Sequence, residues 1–381
     1  MSRALLECSL GLVLATVLLG GCTGVTFVWQ ASVGQLDLLS RARDIDDVLV
    51  DPETPKTTRE MLEEVGRVKS FASTQGLRFN GNYENYVAQE SGHPEFVVWF
   101  VNASAPLSFE PKVFAFPIVG SFPGLGYWDE RDAKEFASEL REEGWDANIR
   151  GVRAFSTGGW FNDPVLWTMF ADSENAYGYL ANVLLHESVH ATVLVKDQQY
   201  FNESLASFVA DEMTSGYLAL RFGEDSAQLR IYRERYELYR QHTRLMLRAF
   251  DELSFLYQSE QTDEAKSRRK RAIYAELSTR LEAETEINNA TLVGIQLYQG
   301  APAEFRALFE ACGGSWPRLL QATGGLRSEH FVDEQTPDFG PVLTRLAHAE
   351  CRRPAPVLPK ARPLHSTPSR QQRERLRRAG R

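Results

Sequence analysis

Hydrophobic and polar positions follow two periods along this chain, and helical spacing dominates. From Val25 to about Gln75, apolar residues recur every three or four positions, with a break at Asp51 and Pro52. From 177 to 285 the same spacing predicts almost continuous helix. The pattern of residues 225–285 predicts a long helical hairpin, with the break between its two helices near SEQTDE. These patterns predict a mainly helical protein.

Short aromatic and β-branched runs predict strands in the middle of the chain. The runs are FVVWFV (96–101), KVFAFPIV (112–119) and DANIRGVRAF (146–155), with a helical pattern at 129–143. Pro117 restricts the second strand to a sheet edge or to the strand's own end, because proline has no N–H to donate. Together with the helices, these strands predict an α+β, mainly helical fold with a small α/β segment.

The first 21 residues have the features of a secretory signal. An apolar run from Ser9 to Leu19 is too short to span a membrane comfortably. The ending Leu-Gly-Gly before Cys22 resembles a bacterial lipobox. We therefore expect cleavage before Cys22 and lipid attachment there, which predicts an envelope protein, anchored in the membrane and facing the periplasm or the exterior. An uncleaved N-terminal anchor is the alternative.

Two cysteines remain once the signal and the lipidation site are set aside. Cys8 leaves with the signal and Cys22 carries the lipid, so Cys312 and Cys351 are the remaining pair in an oxidising exterior. A late disulfide and two buried thiols fit the sequence equally well.

The end of the chain differs from the rest in charge. Residues 352–381 contain ten Lys or Arg against a single acid, Glu374, in a chain whose total charge is −9. We predict a disordered tail, able to bind anionic lipid or nucleic acid through its charge, with a solubilising or mispredicted extension as the alternative. The acidic remainder has no basic patch with interleaved aromatic residues, so we expect no nucleic-acid partner.

The candidate chemistry lies in LLHESVHATVLVKDQQYFNESLASFVADE, residues 184–212. Helix positions i and i+4 share a face, so His186 and His190 can bind one Zn²⁺. Glu187 projects beside that face, where it can take a proton from a water molecule that the ion activates. A carboxylate from a following helix commonly completes such an HExxH site. Glu203 qualifies if the first helix runs to about Lys196, KDQQ forms the turn, and Asn202 caps the next helix.

The HExxH pattern is short, and it also occurs by chance in ordinary helices that bind no metal. Three features favour a metal site: the apolar flanks YLANVLL and ATVLV, which make an unpaired charge on Glu187 costly; the sequence NES at a helix start; and export. The absence of further Cys or His ligands nearby argues against a closed structural zinc site.

Several long segments resemble a family of bacterial putative aminopeptidases, zinc metallopeptidase lipoproteins of the gluzincin type. They are WQASVGQLDLL, FPIVGSFPGLGYWDE, GVRAFSTGGWFNDP, HESVHATVLVKDQQYFNESLASFV and NNATLVGIQLY. The resemblance covers most of residues 22–325. It implies that His186, His190 and Glu203 are zinc ligands and that Glu187 is catalytic.

The chain departs from that family at three positions. Ala115 and Ser121 stand where the resemblance implies cysteines, and Leu125 stands where it implies an arginine before Gly-Tyr. Joint loss of the two cysteines would remove one disulfide. Loss of the arginine puts in doubt any contact that it makes in the family.

Other residues are candidates for roles around the metal. Tyr298, and secondarily Tyr127, could donate a hydrogen bond to the oxyanion of a peptidase reaction. Ser207 and Asp211 could orient the free nitrogen of a histidine. KVFAFPIVG is the candidate edge strand for an extended substrate, with an ordinary core strand as the alternative.

An aminopeptidase also needs carboxylates for the substrate's α-ammonium. Asp129, Glu130 and Asp163 are the candidates. Alternatively, these three residues are ordinary acids in loops that face solvent.

In chain order we predict a lipoprotein signal peptide (1–21), a mainly helical region (22–110), a small α/β segment (111–165), a helical zinc-site region (166–350) and a basic tail (351–381). The predicted function is zinc-dependent peptide hydrolysis, of the aminopeptidase kind. A non-catalytic envelope scaffold with a structural or vestigial metal, and a zinc hydrolase of non-peptide amides, are the alternatives.

Overall fold

The structure, a computed structural model, describes residues 22–89, 96–116, 120–154, 162–170, 174–349 and 351. The predicted signal peptide, Pro117 and the basic tail from residue 352 onward lie outside the described residues. Helices dominate and the sheets are small, which confirms the predicted α+β, mainly helical class. Among the described helices, none combines the length and apolar composition needed to cross a bilayer.

The helices follow the predicted pattern closely. The long break predicted near Asp51 separates α2 from α3, and the hairpin break near SEQTDE separates α7 from α8. The described helices are α1 (Cys22–Ser40), α2 (Ile45–Val50), α3 (Lys56–Thr74), α4 (Glu130–Glu142), α5 (Ala176–Thr192), α6 (Gln199–Phe222), α7 (Ala227–Gln258), α8 (Asp263–Leu281), α9 (Asn289–Tyr298), α10 (Pro302–Ala311), α11 (Trp316–Gly324) and α12 (Gly340–Ala349).

The described strands form three small sheets. They are β1 (Arg43–Asp44), β2 (Asn85–Val87), β3 (Val98–Ser104), β4 (Phe114–Phe116), β5 (Gly120–Phe122), β6 (Gly124–Tyr127), β7 (Asp146–Val152) and β8 (Val165–Leu166). One sheet has the order β6-β3-β7 and is antiparallel, a second has the order β1-β2-β8, and β4 pairs antiparallel with β5. The three predicted strands therefore exist as β3, β4 and β7, and the use of β4 by a substrate stays a prediction.

The chain divides into two compact units, each built from stretches that are far apart in sequence. Unit 1 comprises Met1–Arg41, Pro94–Phe155 and Arg244–Gly294. Unit 2 comprises Ala42–His93, Ser156–Thr243 and Ile295–Arg381. The five segments predicted in chain order are a different kind of division, and their boundaries stay predictions.

The main core of unit 1 lies between its antiparallel sheet and α4. Val101 of β3 and Leu140 of α4 are fully buried there. Leu125, at the position where an arginine was implied, is 3% exposed and pairs with Val101. A leucine therefore continues the apolar core at a place where a guanidinium would need a buried polar partner.

The pairing of β4 with β5 explains the second departure from the family pattern. Ala115 and Ser121 are directly opposite each other in the register of these strands. Cysteines at these two positions would be cross-strand neighbours, so replacing both removes a single link and leaves no unpaired thiol.

In unit 2, α5 packs against α6 and α3. The side chains of Leu184, Leu185 and Val189 on α5 are completely buried, and so are those of Leu205 and Val209 on α6. The flank before the HExxH sequence is therefore part of the core, and in the flank after it Val193 and Val195 are buried while Leu194 is 63% exposed. The burial holds the two helices in a fixed register along their contact.

Cys312 and Cys351 form a disulfide, 39 residues apart in sequence and buried. The bond follows α10 and α12, which pack against each other. Of the two alternatives left open by the sequence, the structure has the disulfide.

Replacing Cys312 and Cys351 together with alanine is expected to cost about 3 kcal/mol of unfolding free energy, because the bond restricts a long loop in the unfolded chain. Urea denaturation of the oxidised protein and of the double variant measures the difference. Reduced wild-type protein is the control and should lose a similar amount. A double variant as stable as the oxidised protein would contradict the expectation.

Candidate metal centre

Three side chains of unit 2 bring their ligand atoms together. His186 Nε2 lies 3.2 Å from His190 Nε2 and 3.3 Å from Glu203 Oε2, and His190 Nε2 lies 3.6 Å from the same carboxylate oxygen. The three side chains are 17–18% exposed, so the cluster is open to a small solute while most of its surface is covered.

Two helices supply this geometry. His186 and His190 are one turn apart on α5, and Glu203 is in the second turn of α6. The sequence prediction of the connection was wrong in detail: α5 ends at Thr192 rather than near Lys196, and Asn202 lies inside α6 rather than capping it.

Asn202 lies in the first turn of α6, and its side chain binds the backbone of Val195 in the connection from α5 to α6. We call this pair of hydrogen bonds the clamp. Its Nδ2 donates to the carbonyl of Val195 at 2.8 Å, and its Oδ1 accepts from the N–H of Val195 at 2.9 Å. Gln198 is held in turn by Asp333 O at 2.7 Å and by the N–H of Thr336 at 3.2 Å. The side chain of Asn202 thus fixes the span between the histidines and the glutamate.

The donor set fits a divalent cation. Ligands about 2.0–2.1 Å from a tetrahedral Zn²⁺ lie about 3.3 Å from one another. The three observed separations are close to that value. These residues also form the one group of three or more His, Cys, Asp or Glu side chains in the described part of the chain that could hold a metal ion.

The charges of the cluster favour a cation as well. Burial opposes ionisation of Glu203, but its hydrogen bonds with His186 and His190 outweigh this and lower the pKa of the carboxyl well below its ordinary range. Burial likewise disfavours the charged form of His186, while Glu203 and Glu187 outweigh it and raise the pKa of the imidazole. A negative carboxylate therefore faces two imidazoles across a gap of ion size.

Glu187 sits beside the cluster with an unsatisfied oxygen. Its Oε2 is buried and accepts no hydrogen bond from any residue that the structure describes. Burial raises the pKa of the Glu187 carboxyl, with the two histidines opposing the rise and Glu203 and Asp163 adding to it. A buried carboxylate oxygen without a partner costs free energy, and a water molecule or a substrate can satisfy it.

Sequence reasoning missed Tyr83, which shares this environment. Tyr83 is 2% exposed, and its hydroxyl has no partner among the described residues. Burial and the Glu187 and Asp163 carboxylates raise its pKa far above the ordinary value. Its N–H donates to Asp163 O at 2.7 Å, and Asn82 Oδ1 accepts from the N–H of Asp163 at 3.0 Å. No periodic pattern marks this tyrosine, which has a positive φ of 60°.

The structure brings Tyr298 to the cluster, as the sequence suggested. Its ring centroid lies 6.2 Å from that of His186. The end of α9 is tied to α6 by Ser204, whose hydroxyl donates to Leu297 O at 3.1 Å and accepts from the N–H of Gly300 at 2.9 Å. The backbone on both sides of Tyr298 is therefore held by Ser204, the residue next to Glu203.

The predicted supporting residues have other contacts. Asp211 accepts a hydrogen bond from Asn182 Nδ2 at 3.0 Å, and Asn182 is one turn before His186 on α5. Burial raises the pKa of Asp211 to about 6, and the bond from Asn182 opposes the rise. Ser207 is buried without a hydrogen bond to either histidine among the described contacts. Their role in orienting a histidine stays a prediction.

Three further candidates belong to unit 1. Tyr127 is a core residue whose ring packs against Phe136 and Phe27. Asp129 caps α4 by accepting from the N–H of Arg131, and Glu130 pairs with Lys134 at 2.8 Å. The structure gives each of these side chains a local structural contact.

One comparison with known proteins produced a match. The model of a family described as "Putative aminopeptidase" matches residues 26–336. That span covers most of the chain and includes the whole cluster. The chain belongs to this family. No curated protein and no solved structure matches it. Membership confirms the resemblance to putative aminopeptidases and indicates a peptidase. The family's description names no metal, so the zinc, gluzincin and lipoprotein parts of the resemblance stay predictions.

Proposed function

We propose that this protein is a zinc-dependent aminopeptidase of the bacterial cell envelope, of the gluzincin type. The observation that carries the proposal is the convergence of His186, His190 and Glu203 beside the buried, unpartnered oxygen of Glu187. Imidazole nitrogen and carboxylate oxygen are ligands that zinc prefers, and three protein ligands are typical of catalytic sites, whereas structural sites use four. Family membership supports the choice of peptide hydrolysis.

The chain's own residues would carry the proton transfers. Zn²⁺ in such a site supplies Lewis acidity, which favours ionisation of water and polarises a carbonyl. Glu187 is the general base: its carboxylate takes one proton from the attacking water and later delivers a proton to the amine that leaves. Tyr298 is the hydrogen-bond donor to the carbonyl oxygen as negative charge develops on it.

Recognition of a free amino terminus needs an anion beside the scissile bond. Among the three acids suggested by the sequence, Asp163 has the matching environment. It is 2% exposed, and its charge raises the pKa of both Glu187 and Tyr83. Asp129 and Glu130 are exposed and already contact their own helix. We therefore assign the substrate's α-ammonium to the side of Glu187 where Asp163 and Tyr83 lie.

Acetylating the amino terminus of a good peptide substrate is expected to lower kcat/KM more than a hundredfold, because the loss of one buried charge pair costs roughly 3 kcal/mol. Matched free and acetylated peptides, assayed with the zinc-loaded protein, measure this. Asp163→Asn is the second arm and should lose most of the preference for the free form.

Each result of this assay has a distinct meaning. Equal cleavage of both peptides by the wild type would retire the aminopeptidase assignment and leave a zinc endopeptidase. No cleavage of either peptide, with turnover of a non-peptide amide, would overturn peptide hydrolysis itself.

We also propose that a lipid on Cys22 anchors the protein in the envelope, where the peptide substrate is met. The support is the short apolar run that ends in Leu-Gly-Gly before this cysteine. Attached acyl chains bind membranes through their buried methylene groups.

Cys22→Ala is expected to move the protein from the membrane fraction to the soluble extracytoplasmic fraction, because the mature chain then lacks its acyl chains. Fractionation followed by a high-salt wash measures the shift, and Cys312→Ala is the cysteine control that should stay in the membrane. Retention of Cys22→Ala after the wash would favour an uncleaved N-terminal anchor instead.

A further inference from the structure

Three large apolar side chains on α1 are exposed. Trp29 is 71% exposed, Val33 48% and Leu36 64%. Their spacing of four and three residues places them in one stripe, because a helix turns once every 3.6 residues. We call Trp29, Val33 and Leu36 the outer face of α1.

The opposite side of α1 is docked on unit 1. The ring of Phe27 lies 5.4 Å from that of Phe116, and Gln30 Nε2 donates to Gly126 O at 2.9 Å. Gly34 has no Cβ where the ring of Trp128 approaches, and a Cβ there would come within 2.2 Å of that ring. Leu38 is 1% exposed. These contacts fix the rotation of the helix, so the outer face cannot turn inward.

The position of Cys22 relates this face to the proposed lipid. Helix α1 begins at Cys22, and seven residues, close to two turns, separate Cys22 from Trp29. The two positions therefore lie on the same side of the helix.

Helix α1 has almost no charged residues, which suits contact with a lipid surface. From Cys22 to Ser40 the sequence contains a single ionisable acid or base, Asp37, which pairs with Arg41 at 3.2 Å. Helices that lie in the membrane interface bury an apolar stripe at the boundary between headgroups and acyl chains, and tryptophan is enriched at that depth.

We propose that the outer face of α1 is a membrane-contacting surface, which lies in the phospholipid interface beside the lipid on Cys22. The inference rests on the lipid anchor proposed above. It adds that unit 1 of the anchored protein has a fixed orientation, since α1, which starts at Cys22, is packed on the rest of unit 1.

Site-directed spin labelling of the full-length lipoprotein in phospholipid vesicles tests this surface. Cys22 is blocked by its lipid and Cys312 is bonded to Cys351, so an introduced cysteine is the free thiol that takes the label. The test positions are Trp29→Cys, Val33→Cys and Leu36→Cys. The control is Ser138→Cys, at an exposed position of α4 in the same unit.

Labels on the outer face are expected to be several times more accessible to dissolved oxygen than to a water-soluble nickel complex, and the label at position 138 should show the reverse. Outer-face labels with the same accessibility as position 138 would overturn the inference. Low accessibility to both reagents, with dipolar broadening between labels, would overturn it in favour of a contact with a second copy of the chain.

A separate measurement distinguishes failure of the proposed membrane surface from failure of the proposed lipid anchor. Mass spectrometry of the N-terminal peptide establishes whether Cys22 carries lipid. A lipidated protein with water-exposed labels refutes the membrane surface alone. An unlipidated Cys22 refutes the anchor, and the membrane surface with it. Peptidase activity of each labelled protein serves as the check on folding.

Discussion

Replacing Glu187 with glutamine is expected to leave the metal content unchanged and to lower kcat by two or more orders of magnitude. Glutamine keeps the size and hydrogen-bonding capacity of the side chain, and Glu187 is not one of the three converging ligands, so metal binding should survive. The variant loses the proton acceptor, and general-base catalysis contributes about 10²–10⁴ in rate. Elemental analysis and steady-state kinetics on the same preparation measure both quantities.

A matched control separates this effect from the loss of any surface charge. Glu276→Gln makes the same change at an exposed side chain of α8 and should leave both metal content and kcat unchanged. Undiminished turnover in Glu187→Gln would mean that another group activates the water. Loss of metal in that variant would place Glu187 among the ligands.

Alanine at His186, His190 or Glu203 is expected to abolish stoichiometric metal binding. The wild-type protein should carry about one Zn²⁺ per chain, and each substitution leaves two ligands and a wider opening to water. The measurement is metal content after dialysis against a weak chelator. Activity should fall to background in parallel, since the proposed reaction depends on the ion.

Thr214→Ala is the control for these substitutions, because Thr214 is buried on the same helix about three turns beyond Glu203. It should keep its metal. Full occupancy in Glu203→Ala would refute Glu203 as the third ligand while leaving the two histidines in place.

The helical pair that carries the cluster could be predicted because its signals are local. The i, i+4 spacing of His186 and His190 and the apolar flanks require only a helix with a buried side. The placement of Glu203 required only that the chain turn back within a few residues. The resulting cluster agrees with the prediction even though the turn itself differs.

The turn was mispredicted because distant residues determine it. No turn residue marks Thr192, where α5 ends, and Gln198 in the connection is held by Asp333 and Thr336, more than 130 residues away. The same limitation applies to Tyr83, whose backbone pairs with Asp163, a residue far from it in the sequence. Non-local contacts of this kind leave no periodicity in the sequence.

The two units were not foreseen for a related reason. Unit 1 joins the N-terminal helix, the central strands and the part of the α7–α8 hairpin from Arg244 onward, three stretches separated by long intervals. Each stretch was correctly predicted as helix or strand. Their association depends on complementary shape, such as the space that Gly34 leaves for the ring of Trp128, which a pattern of apolar positions does not specify.

The clamp that Asn202 forms around Val195 has a consequence for how the protein acquires its ion. Both bonds of the clamp join protein to protein, so the ion is not required to bring α5 and α6 together. In zinc fingers, by contrast, the free energy of metal binding is the free energy of folding. Under the proposed function, folding and metal binding would be separate events: the chain would fold first and bind its ion afterwards. The supply of metal in its surroundings would then set how many molecules are active, rather than how long each molecule survives.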